Sequence, residues 1–98
     1  MKPVGRAVDR LLRGLGLATE VARAGAIDAW PAVAVEHLGS DARSTRAVGI
    51  DGDTLIVAVP TPAWSSEIRL REREILSAIK RAAPTSDIRH IRTVPARS

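Results

Sequence analysis

The sequence contains no cysteine, no phenylalanine and no tyrosine, and it has only two tryptophans. Without cysteine, disulfides, thiolate metal sites and cysteine nucleophiles are excluded within this sequence, which fits a cytoplasmic setting. Its longest apolar runs, such as LIVAV at 55–59, are far shorter than the roughly 18 residues of a membrane span. The first ten residues have no apolar signal core. We therefore expect a soluble cytoplasmic protein.

Groups that carry chemistry are also sparse. The two histidines, His37 and His90, have no neighbouring ligand at the spacing of a metal site, so no metal is expected. Ser65 and Ser66 lack a matching His and Asp arrangement. The stretch GLGLATE lacks the lysine and the preceding strand of a phosphate-binding loop. We expect no catalytic residue, no cofactor and no small-molecule substrate, and hence a protein that is not an enzyme.

Chain length and net charge limit the number of domains and the kinds of partner that can be expected. With 98 residues, the chain is expected to form one small domain over 1–98. It carries 15 Lys and Arg against 11 Asp and Glu, a formal net charge of +4. Such a balance fits either a well-solvated surface or an acidic partner. The arrangement of the charge has to decide between them.

The N-terminal segment is predicted to form an amphipathic basic helix over residues 1–16. Its apolar residues recur at helical spacing and share one face: Val4, Val8, Leu11, Leu12 and Leu15. The opposite face is a cationic stripe of four residues: Lys2, Arg6, Arg10 and Arg13. We interpret this stripe as a candidate DNA contact. An amphipathic helix of this kind also suits docking to a protein partner.

A second helix and a hairpin are expected next. Helical spacing of apolar residues from Val21 to Leu38 includes Trp30, which we interpret as a structural anchor in the core. Pro31 predicts that this helix kinks or restarts there, and Gly39 predicts where the helix ends. The run TRAVGI-DGD-TLIVAVP then predicts a β-hairpin with Asp51-Gly52 as its turn dipeptide.

The stretch from Pro62 to Pro84 predicts one long helix over 62–83, with Pro62 in its first turn. Trp64 begins the apolar stripe, so we interpret it as a second structural anchor at the strand–helix junction. Three cations share another face and are candidate DNA contacts: Arg69, Arg73 and Lys80. Alternatively, they belong to a solvated helix linked by ion pairs such as Glu67–Arg71.

The tail predicts a third strand at about 87–94, with Ile91 as its inward residue. The expected element order is therefore α-α-β-β-α-β. We expect an α+β domain in which a three-stranded sheet packs on helices.

Two stretches resemble a known family. AWPAV is similar to a signature of Trp, Pro or a polar residue, and Val, and the block from 52 to 79 resembles the pattern G-x-L-x-V-x-V…A-W-x-x-E-L. In that block seven residues match in order: Gly52, Leu55, Val57, Val59, Ala63, Trp64 and Glu67. The family is DciA, the bacterial replicative-helicase operator or loader proteins, and the resemblance covers residues 26–94.

The resemblance implies a KH-like domain that binds the DnaB-type replicative helicase and DNA and promotes helicase loading, without catalysis. A KH domain clamps a nucleic-acid backbone with a G-x-x-G loop between two helices, and no such loop stands at that position here. Single- or double-stranded DNA should therefore be held through Lys and Arg on phosphates. The alternative hypothesis is a general RNA- or DNA-binding KH-like module without a helicase partner.

Overall fold

The computed structural model describes residues 18–96. In this range three α-helices, a 3-10 helix and a three-stranded sheet form an α+β fold, as predicted. The elements are α1 (Ala18–Leu38), the 3-10 helix (Ser40–Ser44), β1 (Arg46–Asp51), β2 (Thr54–Val59), α2 (Pro62–Leu70), α3 (Glu72–Ala82) and β3 (His90–Pro95). The predicted N-terminal helix, with Lys2, Arg6, Arg10 and Arg13, lies outside the described residues.

Helix α1 buries a narrower face than the sequence pattern predicted. Its buried residues are Ala26, Trp30, Val33 and Ala34, whereas Val21 is 73% exposed, so the predicted stripe is wrong at the start of the helix. Pro31 lies inside the helix on its exposed side, where water can reach the carbonyl that the missing N–H leaves free. The helix ends as predicted, at Gly39 with φ +94°.

Strands β1 and β2 form the predicted hairpin. They pair antiparallel, with Asp51 opposite Thr54, so the two loop residues are Gly52 and Asp53. The predicted turn dipeptide is therefore displaced by one residue. Gly52 has φ +64°, a left-handed conformation at the first loop position that glycine adopts without steric cost. The turn therefore depends on the glycine at position 52 and not on Asp51.

We expect Gly52→Ala to destabilise the fold by about 1–2 kcal/mol, because a Cβ is disfavoured at this positive φ even in open space. Gly49→Ala is the matched control, since a Cβ added at Gly49 would also meet no atom within 4 Å, but Gly49 lacks a positive φ. Urea unfolding followed by circular dichroism measures both. Equal losses at the two positions would show that backbone conformation at Gly52 is not the cause.

The sheet has the order β1-β2-β3, and β3 pairs parallel with β2. The predicted third strand is present but begins later, at His90, with Thr54 opposite His90 and Val59 opposite Pro95. Ile88 is buried before the strand begins, which explains why the spacing of Ile88 and Ile91 did not fit a strand. A parallel pair needs a crossover between its strands, and α2 and α3 provide it.

The predicted single helix over 62–83 is wrong, because the chain breaks at Arg71 into α2 and α3. Arg71 has φ −111° and ψ 13°, and its N–H lies 3.3 Å from the Glu67 carbonyl and 3.2 Å from the Ile68 carbonyl. Sharing one N–H between these two carbonyls is typical of a tightened helix end. The break lets α2 contact β2 and β3 while α3 packs against α1.

The core lies between the sheet and the helices. Leu55, Val57 and Val59 face it from β2, as their alternation predicted. Trp30 is fully buried there, and its Nε1–H donates to Thr45 Oγ1 at 3.0 Å. Trp64 is half-buried and packs against the core cluster. The second anchor therefore contacts the core from its margin instead of lying inside it.

Candidate nucleic-acid interface

The break between α2 and α3 carries a run of cations. Residues 69–73 read Arg-Leu-Arg-Glu-Arg, and all three arginines are exposed. Leu70 is 81% exposed at the end of α2. Arg69 lies in the last turn of α2, and Arg73 lies in the first turn of α3. The site is thus a helix–helix junction and not the side of a continuous rod.

Glu72 attaches this junction to β3. One of its carboxylate oxygens, Oε2, accepts a hydrogen bond from the Ile91 backbone N–H at 3.1 Å. Its position in the first turn of α3 also favours a negative charge. A second contact, between the hydroxyls of Ser65 and Thr93 at 2.7 Å, holds α2 on the same strand. These bonds bring the beginning of β3 next to the arginines of the junction.

The result is an open groove of about 670 Å³ between the junction and the start of β3. Four of its lining residues carry or can carry positive charge: Arg69, Arg73, Arg89 and His90. Two glutamates also line it, but Glu72 is hydrogen-bonded to the strand. The other, Glu74, has Oε2 3.8 Å from His37 Nδ1. Arg89 is itself paired, with its Nε 3.5 Å from Asp87 Oδ1. Arg69 and Arg73 are therefore the arginines of the groove that have no salt-bridge partner among residues 18–96.

Ion pairs within residues 18–96 leave most of these cations available. Glu67 and Arg71 form the predicted pair, with Oε2 and Nε 3.7 Å apart. Both side chains are about half exposed, so this pair contributes only a few tenths of a kcal/mol. In the same part of the chain, Arg69, Arg73 and Lys80 have no salt-bridge partner. Arg71 is the arginine of this segment that an ion pair engages within residues 18–96, and the alternative of a solvated helix stays a hypothesis.

The structure brings together two of the predicted DNA-contact residues and separates the third. Arg69 and Arg73 line the groove, whereas Lys80 does not. Lys80 lies seven residues beyond Arg73 on α3, a distance of about 10 Å along the axis. Lys2, Arg6, Arg10 and Arg13 lie outside the described residues. Their assignment as DNA contacts stays a prediction.

Sequence reasoning did not place Arg89 and His90 in this site. Arg89 immediately precedes β3 and His90 begins it, sixteen and seventeen residues after Arg73 in the chain. The helical wheel that selected Arg69 and Arg73 describes one element and contains no information about a strand beside it. The hydrogen bonds of Glu72 and Ser65 with β3 help to hold the two groups together.

Guanidinium groups are the main chemical feature of this groove. Guanidinium groups recognise phosphate oxygens through charge-assisted hydrogen bonds. An aromatic platform for bases is lacking in residues 18–96, because Trp30 is buried and Trp64 packs on the core. The described residues also contain no group of three or more His, Cys, Asp or Glu that could hold a metal ion. None of their helices is long and apolar enough to cross a membrane.

Comparison with known proteins decides the family. The family model described as Dna[CI] antecedent, DciA, matches residues 3–93. The chain belongs to the DciA family. The match begins well before residue 26, where the resemblance read from the sequence began, and it includes most of the basic N-terminal segment. A search of curated proteins finds no match.

The DciA family is associated with loading of the DnaB-type replicative helicase, and it is a family of adaptors and not a known enzyme family.

Proposed function

We propose that this DciA-family chain is a non-enzymatic, cytoplasmic adaptor of DNA replication that binds the replicative DnaB-type helicase and DNA and promotes helicase loading. The observation that carries the proposal is the family match over residues 3–93. The groove at the α2–α3 junction supports the DNA-binding part, since Arg69 and Arg73 line it and have no salt-bridge partner among residues 18–96.

The element order supports a KH-like reading of this groove. A KH domain holds a nucleic-acid backbone at a G-x-x-G loop between two helices. Here the break at Arg71 creates two helices, but the junction contains three arginines and no glycine. Without glycine, the protein backbone at this junction cannot approach the nucleic-acid backbone as a G-x-x-G loop does, and arginine side chains would contact the phosphates instead. We therefore expect DNA binding without sequence preference and with a steep dependence on salt.

Co-purification of the full chain with the replicative helicase of the same cell tests the adaptor function. We expect a complex with the hexameric helicase that forms in the absence of DNA. Capture of bulk RNA with no helicase would instead support the general nucleic-acid-binding module. A flat salt titration of single-stranded DNA binding would contradict both functions, because a protein that neutralises phosphates must lose affinity as salt rises.

The N-terminal stripe has its own test within this proposal. Changing Arg6, Arg10 and Arg13 together to Glu is expected to abolish DNA binding while the fold stays intact, because three cations facing phosphate become anions. Fluorescence anisotropy at low salt measures binding, and circular dichroism checks the fold. Unchanged affinity would remove these three residues from the DNA contact and leave the groove as its site.

A further inference from the structure

The second face of the sheet carries no helix among residues 18–96. Side chains alternate between the two faces of a strand, so Ile56 and Ala58 point away from the helices that Leu55, Val57 and Val59 contact. Directly paired residues share a face, which places Arg46 and Val94 beside Ala58. This open sheet face is the second surface of the molecule that could receive a partner.

A bulge shapes the apolar part of the open sheet face. The register of β1 shifts between Ala47 and Gly49, so Val48 is an extra residue in the ladder. Val48 is 51% exposed and lines a groove of about 530 Å³ together with Ala58 and Val94. A bulge bends its strand and re-aims a side chain. Here it presents a branched apolar side chain to solvent.

Arginines form the rim of this groove. Arg43 and Arg46 line it, and no carboxylate does. Within the described part of the chain neither arginine has a salt-bridge partner. An apolar centre with cations at its edge is complementary to an apolar segment flanked by carboxylates. A nucleic-acid backbone would leave the apolar centre of Val48, Ala58 and Val94 without an apolar partner, so this groove suits a protein segment better.

The strand edges favour binding on the face over addition of a fourth strand. At β3 the Ile91 N–H is occupied by Glu72, and Pro95 has no N–H to offer. At β1 the bulge at Val48 interrupts the regular spacing of the ladder. A partner would therefore contact the side chains of the open face and not extend the sheet.

We infer that the open sheet face is the docking surface for the helicase, and that the helicase segment it takes is apolar and flanked by Asp or Glu. This inference rests on the proposed function. The docking surface and the α2–α3 groove share no residue, so the chain can hold helicase and DNA at the same time.

Val48→Asp in the full chain tests this assignment against the matched control Val21→Asp. Val21 is also an exposed valine, at 73%, but it lies on α1. We expect Val48→Asp to weaken helicase binding at least about tenfold, because it places a charge at the apolar centre of the contact. Val21→Asp should change it by less than about twofold, and both variants should bind single-stranded DNA like the wild type. Surface-immobilised helicase and anisotropy with labelled DNA give the two readouts.

Each other outcome overturns the inference in a different way. Equal helicase binding by the two variants would exclude the open sheet face and leave the proposed function standing. Failure of the wild-type chain to bind helicase would remove the inference and the proposed function together. A change in the mass of the free chain with Val48→Asp, measured by light scattering, would assign the face to a second copy. A loss of stability of the free chain that exceeds the loss with Val21→Asp would show that the chain covers this face itself.

Discussion

Trp30→Ala is expected to lower the free energy of unfolding by about 3–5 kcal/mol. That is a large share of the roughly 5–15 kcal/mol by which a domain is stable. The ring is fully buried in the core cluster, so its removal leaves a cavity in the core. It also removes the partner of Thr45, which holds the indole N–H at 3.0 Å. Urea unfolding followed by circular dichroism measures the loss.

Trp64→Ala is the matched control, since it removes the same side chain from a half-buried position. We expect a clearly smaller loss, because less apolar surface returns to water. Thr45→Val separates the hydrogen bond from the cavity. It should cost about 1–3 kcal/mol by leaving a buried N–H unpaired. Equal losses for the two tryptophan variants would contradict the assignment of Trp30 as the main anchor.

Arg69→Gln combined with Arg73→Gln is expected to weaken binding of single-stranded DNA at least about tenfold at low salt, because two phosphate contacts are lost. The slope of the logarithm of the binding constant against the logarithm of salt should become less steep by about 1.4, at about 0.7 per contact on single strands. Anisotropy titrations at several salt concentrations give both numbers. Helicase binding should be unchanged.

A control double variant removes two positive charges from the open sheet face instead of from the α2–α3 groove. Arg43→Gln combined with Arg46→Gln also deletes two exposed arginines without a salt-bridge partner in residues 18–96. It should leave DNA affinity within about twofold, since neither residue lines the groove, and it should reduce helicase binding. Equal loss of DNA affinity in the two double variants would show that net charge alone, and not the groove, holds DNA.

The hairpin and the buried alternation of β2 could be predicted because both depend on near neighbours. Gly52 marks the turn, and Leu55, Val57 and Val59 repeat with the period of a strand. The break at Arg71 could not be predicted, since no proline or glycine stands there. The break accompanies a difference in packing, since α2 contacts β2 and β3, whereas α3 contacts α1 and β3. Sequence periodicity continues across such a break and predicts one helix.

The candidate site was predictable only in part for the same reason. Arg69 and Arg73 follow from the wheel of one segment, but the strand that brings Arg89 and His90 beside them is reached through the crossover. The bulge at Val48 was also hidden. Nothing in the local sequence marks Val48 as an extra residue. The pairing of Ala47 with Val57 and of Gly49 with Ile56 reveals it.

The parallel pairing of β2 with β3 also determines the order in which the sheet can be completed. The β1–β2 hairpin closes over a two-residue loop, an event of microseconds for a chain of this kind. The second neighbour of β2 is separated from it by thirty residues, from Val59 to His90. Such a long closure is entropically costly and slows folding. The rate of folding should therefore depend on how readily α2 and α3 form first, and helix-stabilising changes in them should accelerate it.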